Sequence, residues 1–263
     1  MKDWENFEID CTNYLNKKFG KYAKFIHQGG ADSTVPDILV KAQNGSSFYI
    51  DAKKSPAQCG QFVLLPDYET GTFRYSDRNA NKLTNNTKII ISYMNEYFDI
   101  FKEAGTAGQD INFHNDSDIF ADWIIQSYFD KGVRFFITNN YTLFPIEQFN
   151  KYFNITAKYR VKKSGSSNVG KNKMELILNY ILSQDYMITA SYTIKDKLFV
   201  TSPKPLNNTH FIVDEKEYMF SKRDNSYEIR KLSPTSNANV IFSIIKNSSI
   251  SGMDDCDFIK FLI

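Results

Sequence analysis

The sequence predicts a chain of mixed α/β class. Residues 1–140 form a core in which helices flank a central mixed sheet, and residues 141–263 form a β-rich part packed on it as one unit. Three observations predict this. Apolar residues recur at helical spacing near the N-terminus and again over Ile89–Ala104 and Asp118–Lys131. Short runs with strand character lie between and after those segments. Beyond Asn140 a short helix near Ile146–Phe153 gives way to strands, with turn clusters at Asn207-Asn208 and Arg223-Asp224-Asn225.

Trp4, Phe7, Cys11, Tyr14, Leu15 and Lys18 are spaced by three and four, which predicts a helix over Asp3–Phe19 closed by Gly20. Glu8 breaks the pattern, because its carboxylate falls on the stripe that should face the core. Tyr22–His27 reads as a strand, Gly29-Gly30 as a break, and Val35–Ala42 as a second strand. Asn44-Gly45 then turns the chain into Phe48–Lys54, a strong hairpin signal. Gln61–Ser76 is aromatic and irregular. The two helical segments follow, the second ended by Gly132, and Val133–Thr138 is a continuous apolar run of the kind buried on both faces of a sheet.

Composition excludes several classes. At 42% hydrophobic and 24% charged the chain is globular, and its 22 Phe and 16 Tyr, 15% aromatic with Trp, serve mostly as core. The net charge of +2 leaves any nucleic-acid affinity to local charge distribution. Cys11, Cys59 and Cys256 are scattered without zinc-ligand spacing, which fits a reducing cytoplasm. The first residues are acidic where a signal peptide would be basic, and no apolar run approaches the roughly 18 residues that span a bilayer.

The chemistry concentrates in the hairpin. Pro36-Asp37 opens one strand and Asp51-Ala52-Lys53 closes the other. Side chains alternate along a strand, so Asp51 and Lys53 share a face, while Phe48, Ile50 and Ala52 fill the other. The turn brings Asp37 to the same end. Two carboxylates that close repel, and a divalent cation such as Mg2+, held by hard oxygens and water, resolves the repulsion. With a lysine beside them, such a site suits metal-assisted phosphodiester hydrolysis. A surface salt bridge is the bland alternative.

In these residues, and in the order helix, three strands, helices, strand, the chain resembles the PD-(D/E)xK nuclease superfamily over about half its length, most closely a type II restriction endonuclease. The resemblance implies a restriction-endonuclease-like core, with Asp37 as first acid, Asp51 as second acid and Lys53 as the lysine. It implies that Glu8 on the first helix joins the metal site and that the Ala52 carbonyl ligates the cation. Gln58 and Gln61 resemble polar residues that follow the lysine in such enzymes, with turn capping as their alternative. It further implies a homodimer cutting double-stranded DNA at a specific sequence. A repair nuclease or junction resolvase, a non-catalytic nucleic-acid-binding module and a protein-interaction domain remain rivals. His27 reads as a satisfied buried histidine, and Asp116 or Ser117 as the cap of the following helix.

Acids dominate from Ile89 to Asp130, whereas Gln148–Met174 carries only bases. There Ile155, Ala157, Tyr159 and Val161 alternate with Thr156, Lys158, Arg160 and Lys162, giving one apolar and one basic face. Lys163, Ser164, Ser166, Ser167, Lys171 and Lys173 continue it through a Ser/Gly/Lys-rich stretch, Lys162–Lys173, read as a domain joint or mobile loop. This is the expected DNA-contacting surface, weighed against a solvated face.

Overall fold

In the computed structural model, which describes residues 3–28 and 35–263, the helical spacing near the N-terminus becomes α1 (Asp3–Phe19). Cys11, Leu15 and Phe19 are buried along it, with Glu8 and Thr12 on the same stripe. Trp4 departs from the expected stripe and is exposed. Asn16 ties the helix to β1 (Ala23–His27): its Nδ2 donates to the Phe25 carbonyl at 2.8 Å and its Oδ1 accepts from the Phe25 amide at 3.1 Å. Gly29-Gly30 lies outside the described residues.

The chain continues through β2 (Ile38–Ala42), β3 (Ser47–Lys53), β4 (Ala57–Asp67), β5 (Thr72–Tyr75), α2 (Asn85–Glu96), α3 (Phe98–Phe101), β6 (Gln109–Ile111) and α4 (Asp116–Phe129). It then forms β7 (Val133–Thr138), β8 (Thr142–Pro145), α5 (Phe149–Tyr152) and β9 (Phe153–Lys163). β10 (Ser166–Asn168), α6 (Met174–Ser183), β11 (Ala190–Ile194), β12 (Lys197–Thr201), β13 (His210–Val213), β14 (Lys216–Arg223) and β15 (Ser226–Leu232) follow, before β16 (Ser236–Lys246) and α7 (Asp255–Leu262).

The first sheet runs β1-β2-β3-β7-β8 and is mixed, since β7 lies parallel to β3 while the other pairs are antiparallel. As its apolar run requires, β7 is buried on both faces except at Arg134. One face packs against α1 and α7 through Cys11, Leu15, Phe25, Ile50, Phe135, Phe258 and Leu262. On the other, Tyr128 of α4 meets Phe136 at 5.0 Å. A second sheet, β5-β4-β16-β9-β6, includes the stretch expected to be irregular: residues 61–76 lie largely in a β4–β5 hairpin. Its buried residues Phe62, Leu64 and Phe73 alternate with others, a period the aromatic density obscured.

The chain divides into two compact units, one through Arg160 together with Ala238–Ile263, the other Val161–Asn237. The expected boundary near residue 140 does not coincide with this division, because β8 pairs with β7, β16 pairs with β4, and α7 enters the first core. The second unit is a sheet ordered β11-β12-β15-β14-β13, with β10 also on β15, and α6 buries Ile177 and Ile181 in its core. So Lys162–Lys173 is not a loose loop: Ser166–Asn168 is a strand registered against Arg230–Leu232. Helices α6 and α7 were not expected. Each buries an i, i+4 pair, Ile177/Ile181 and Phe258/Leu262, and Asp254 caps α7 by accepting from the Cys256 amide at 2.7 Å. Among the described residues no helix is long and apolar enough to cross a membrane.

Candidate active site

The turn at Asn44-Gly45 forms as the sequence predicts. Gly45 adopts φ 86°, a conformation that favours glycine, and its amide reaches the Ala42 carbonyl at 3.1 Å. This fixes the register from Lys41 opposite Ser47 to Ile38 opposite Ile50, and one further step sets Asp37 across from Asp51. The Ala52 amide donates to Asp37 Oδ2 at 2.8 Å. The end of β3 is held from the neighbouring strand, where Thr138 Oγ1 donates to the Lys53 carbonyl at 2.6 Å and Asn139 Nδ2 to the Ser55 carbonyl at 2.8 Å.

These elements line a cleft of about 540 Å³ that gathers Glu8, Asp37, Asp51, Lys53, Gln58 and Gln61. Lys53 Nζ stands 2.5 Å from Asp51 Oδ2 and 3.9 Å from Asp37 Oδ2. Among the described residues the Lys53 ammonium is thus the one charged partner of this buried oxygen, and it is shared with Asp37. Burial, reinforced by the Asp37 charge, pushes the Asp51 carboxyl up to about 7. Asp37 is raised as well, by burial, against the pull of Lys53. Burial alone would lower the Lys53 ammonium, but Asp51, Tyr128 and Asp37 outweigh it and hold it well above the ordinary lysine value. Glu8 is raised by burial, although His27 Nε2 lies 3.2 Å from its Oε2 and Lys53 acts against the rise. His27 thus faces a cleft acid and is only partly buried.

Whether this set can take a cation is answered by its donors. Among the described residues no three or more His, Cys, Asp or Glu side chains stand close enough to hold a metal ion. Buried Asp51 and half-buried Asp37, two carboxylates sharing one ammonium, suit a hard cation that keeps most of its waters and takes one or two protein oxygens, as Mg2+ does. They do not suit an all-protein cage.

Gln58 and Gln61 are three apart yet both reach the cleft, with Gln58 Nε2 donating to Gln61 Oε1 at 3.1 Å. A bulge explains it: Gln58 pairs with Ser243 and Gln61 with Ile241, so β4 carries one extra residue and side chains an odd number apart can share a face. Gly60 sits in this bulge at φ 96°, where a Cβ would come within 2.7 Å of the Trp123 ring. Gly60, Arg78, Asn79, Asn81, Trp123, Ser127, Tyr128 and Lys131 also line the cleft, and sequence reasoning missed them. The glycine amid polar residues was the one available signal. α4 begins at Asp116, so the cap position falls on Asn115, at φ 60° and without a side-chain capping bond, rather than on Asp116 or Ser117, and Asp116 instead accepts from the Phe113 amide at 3.3 Å.

Along β9 the expected alternation holds from Phe153 to Tyr159. The expected surplus of bases is smaller in space than in sequence, because neighbouring segments bring acids to it. Lys158 pairs with Asp110 at 3.1 Å, Lys163 with Glu217 at 2.9 Å, Lys171 with Asp196 at 3.2 Å and Lys173 with Asp214 at 3.0 Å. Ser164 Oγ bonds Ser233 and Thr235, and Ser166 accepts from Arg230.

No protein-family description matches the chain, and no curated protein matches it. Among solved structures, it is similar to HhaI endonuclease in complex with DNA, at a TM-score of 0.66 and 34% sequence identity, over 95% of this chain and 93% of the other. The mixed α/β architecture is the restriction-endonuclease-like fold of that neighbour. Similarity that spans nearly both whole chains at this identity means that the chain belongs to the HhaI endonuclease family.

Proposed function

We propose that this protein is a Mg2+-dependent endonuclease that hydrolyses double-stranded DNA at a specific sequence, a type II restriction endonuclease of the PD-(D/E)xK superfamily. The observation that carries the reading is the convergence of Glu8, Asp37, Asp51 and Lys53 in one cleft of a chain 34% identical to an endonuclease solved with DNA. Asp37 and Asp51 would hold the cation and water would complete its shell, with Glu8 and the Ala52 carbonyl meeting it through those waters. When bound, the cation neutralises phosphoryl charge and lowers the pKa of a coordinated water.

The remaining chemistry belongs to the chain. Lys53, kept protonated by its acidic neighbours, stabilises the charge that grows on the attacking oxygen and around phosphorus. Tyr128, whose ring centroid lies 5.7 Å from the Lys53 ammonium, and the buried end of β3 fix its position. Gln58 and Gln61 orient water or phosphate at the rim. Lys158, Arg160, Lys162, Lys163, Ser164, Ser166, Ser167, Lys171 and Lys173 contact the duplex. A homodimer would match the two strands of a palindromic site.

The test is digestion of phage DNA with Mg2+ and with EDTA. Discrete fragments that require Mg2+ are expected; a smear would remove the specificity, and intact DNA under every divalent cation would overturn the reading.

A further inference from the structure

We propose that Arg78 is a phosphate-binding residue of the cleft, gripping the DNA backbone beside the acids; the inference rests on the endonuclease reading. Arg78 lines the same cleft as Asp37, Asp51 and Lys53, on the segment between β5 and α2. That segment is built as a support. Asn79 bonds Val63 twice, accepting from its amide at 2.7 Å and donating to its carbonyl at 2.9 Å. Asn81 donates to Ser127 Oγ at 2.8 Å, and its carbonyl accepts from the Tyr75 hydroxyl at 2.8 Å. Ser76 is buried, and its hydroxyl accepts from the Arg78 amide at 3.2 Å. The Ser76 amide also donates to the Val63 carbonyl at 3.3 Å, so the flank before Arg78 is anchored to β4 and the flank after it to β4 and α4.

The guanidinium itself pairs with nothing among the described residues, in a cleft that also holds three carboxylates. Lys53 differs, being spent on Asp51. A fixed backbone thus presents an unspent, always-charged fork to the opening, and that fork matches two oxygens of a phosphate. The bland alternative is a solvated surface arginine.

The experiment compares Arg78→Ala, Arg78→Lys and, as a nearby exposed control outside the cleft, Arg74→Ala. Thermal melting first checks folding. Binding of a duplex phage-DNA fragment is titrated against salt in Ca2+, and cleavage kinetics are measured in Mg2+. Arg78→Ala should raise KM by roughly 10- to 100-fold with kcat within a few-fold. It should also lower the slope of log K against log salt by about 0.9. Arg78→Lys should restore the slope while recovering only part of the affinity, and Arg74→Ala should match the wild type. If the wild type cuts and Arg78→Ala keeps its KM and slope, the assignment is overturned while the nuclease reading stands. If the wild type cuts under no cation, the nuclease reading falls, and an unchanged slope in the binding titration would separately overturn Arg78.

Discussion

Asp51 in the cleft and Glu228 in the second unit are both acids with side chains almost sealed from water, 5% and 1% exposed. Their company differs. Glu228 meets Arg223 at 3.0 Å, Arg230 at 2.6 Å and Lys197 at 3.8 Å, three cations around one acid. Burial pushes its carboxyl up, but bonds from Arg230 and Arg223 outweigh that and hold it below the ordinary glutamate value. Asp51 has one ammonium shared with a second carboxylate, and its carboxyl rises to about 7. A buried acid with surplus cations is a structural clamp. A buried carboxylate that shares its one ammonium with a second carboxylate leaves negative charge unbalanced, which is what the proposed cation would offset.

The largest effects fall on the first member of this pair. Asp37→Ala, Asp51→Ala and Lys53→Ala should each lower cleavage by roughly 10³-fold or more while the protein stays folded, read by digestion rates beside circular dichroism. Wild-type cleavage by Asp51→Ala would end the contrast. Stability should move the other way. Glu228→Gln should cost about 1–3 kcal/mol in denaturant melts, less than a sealed pair because Arg223 and Lys197 are 54% and 45% exposed. Asp51→Asn should leave the metal-free protein as stable as the wild type or more so.

The two acids should also respond oppositely to pH. Asp51 has a folded pKa above its unfolded one, so its contribution is full below the ordinary 3.8 and is lost as pH rises through about 7. Glu228 has a depressed folded pKa, so its contribution is present above the ordinary 4.5 and is lost as pH falls through the folded value. Between pH 5 and 8, metal-free Tm should therefore fall with pH in the wild type, and the fall should flatten in Asp51→Asn and on adding Mg2+. A slope untouched by Asp51→Asn would assign it to other groups.

Smaller effects sharpen the boundary of the cleft. Glu8→Gln should slow cleavage about tenfold and Asp10→Asn not at all, since Asp10 is exposed on another face of α1. The smallest changes belong to the basic strand. Arg160→Ala and Lys162→Ala should each lower the salt slope of DNA binding by about 0.9, whereas Lys158→Ala, already balanced by Asp110, should lower it less.

What the sequence disclosed was local. α1 and β7 keep their expected limits, and the hairpin aligns Asp37 with Asp51, because period, turn chemistry and alternation act over a few residues. The missed features depend on distant partners. Gly60 needs Trp123, Asn79 needs Val63, and the acids that neutralise Lys163 and Lys173 arrive from residues 217 and 214. No window along the chain contains both halves of such a contact. The i, i+4 pairs of α6 and α7 were in view, but their flanking strand-rich pattern masked them.

The course of β9 and β16 has a consequence for how the protein can change. The chain leaves the first unit after Arg160 and re-enters it at Ala238, on two strands that are neighbours in one sheet. The excursion is also clasped at its base, where the Ser164 amide meets the Thr235 carbonyl at 3.0 Å. Topologically, residues 161–237 are an insertion in a hairpin. Halving or doubling such a segment shifts loop-closure entropy by only about 0.6 kcal/mol. The cleft residues all lie outside it, so the insertion can be lengthened, trimmed or exchanged for another module while the residues of the cleft are inherited unchanged.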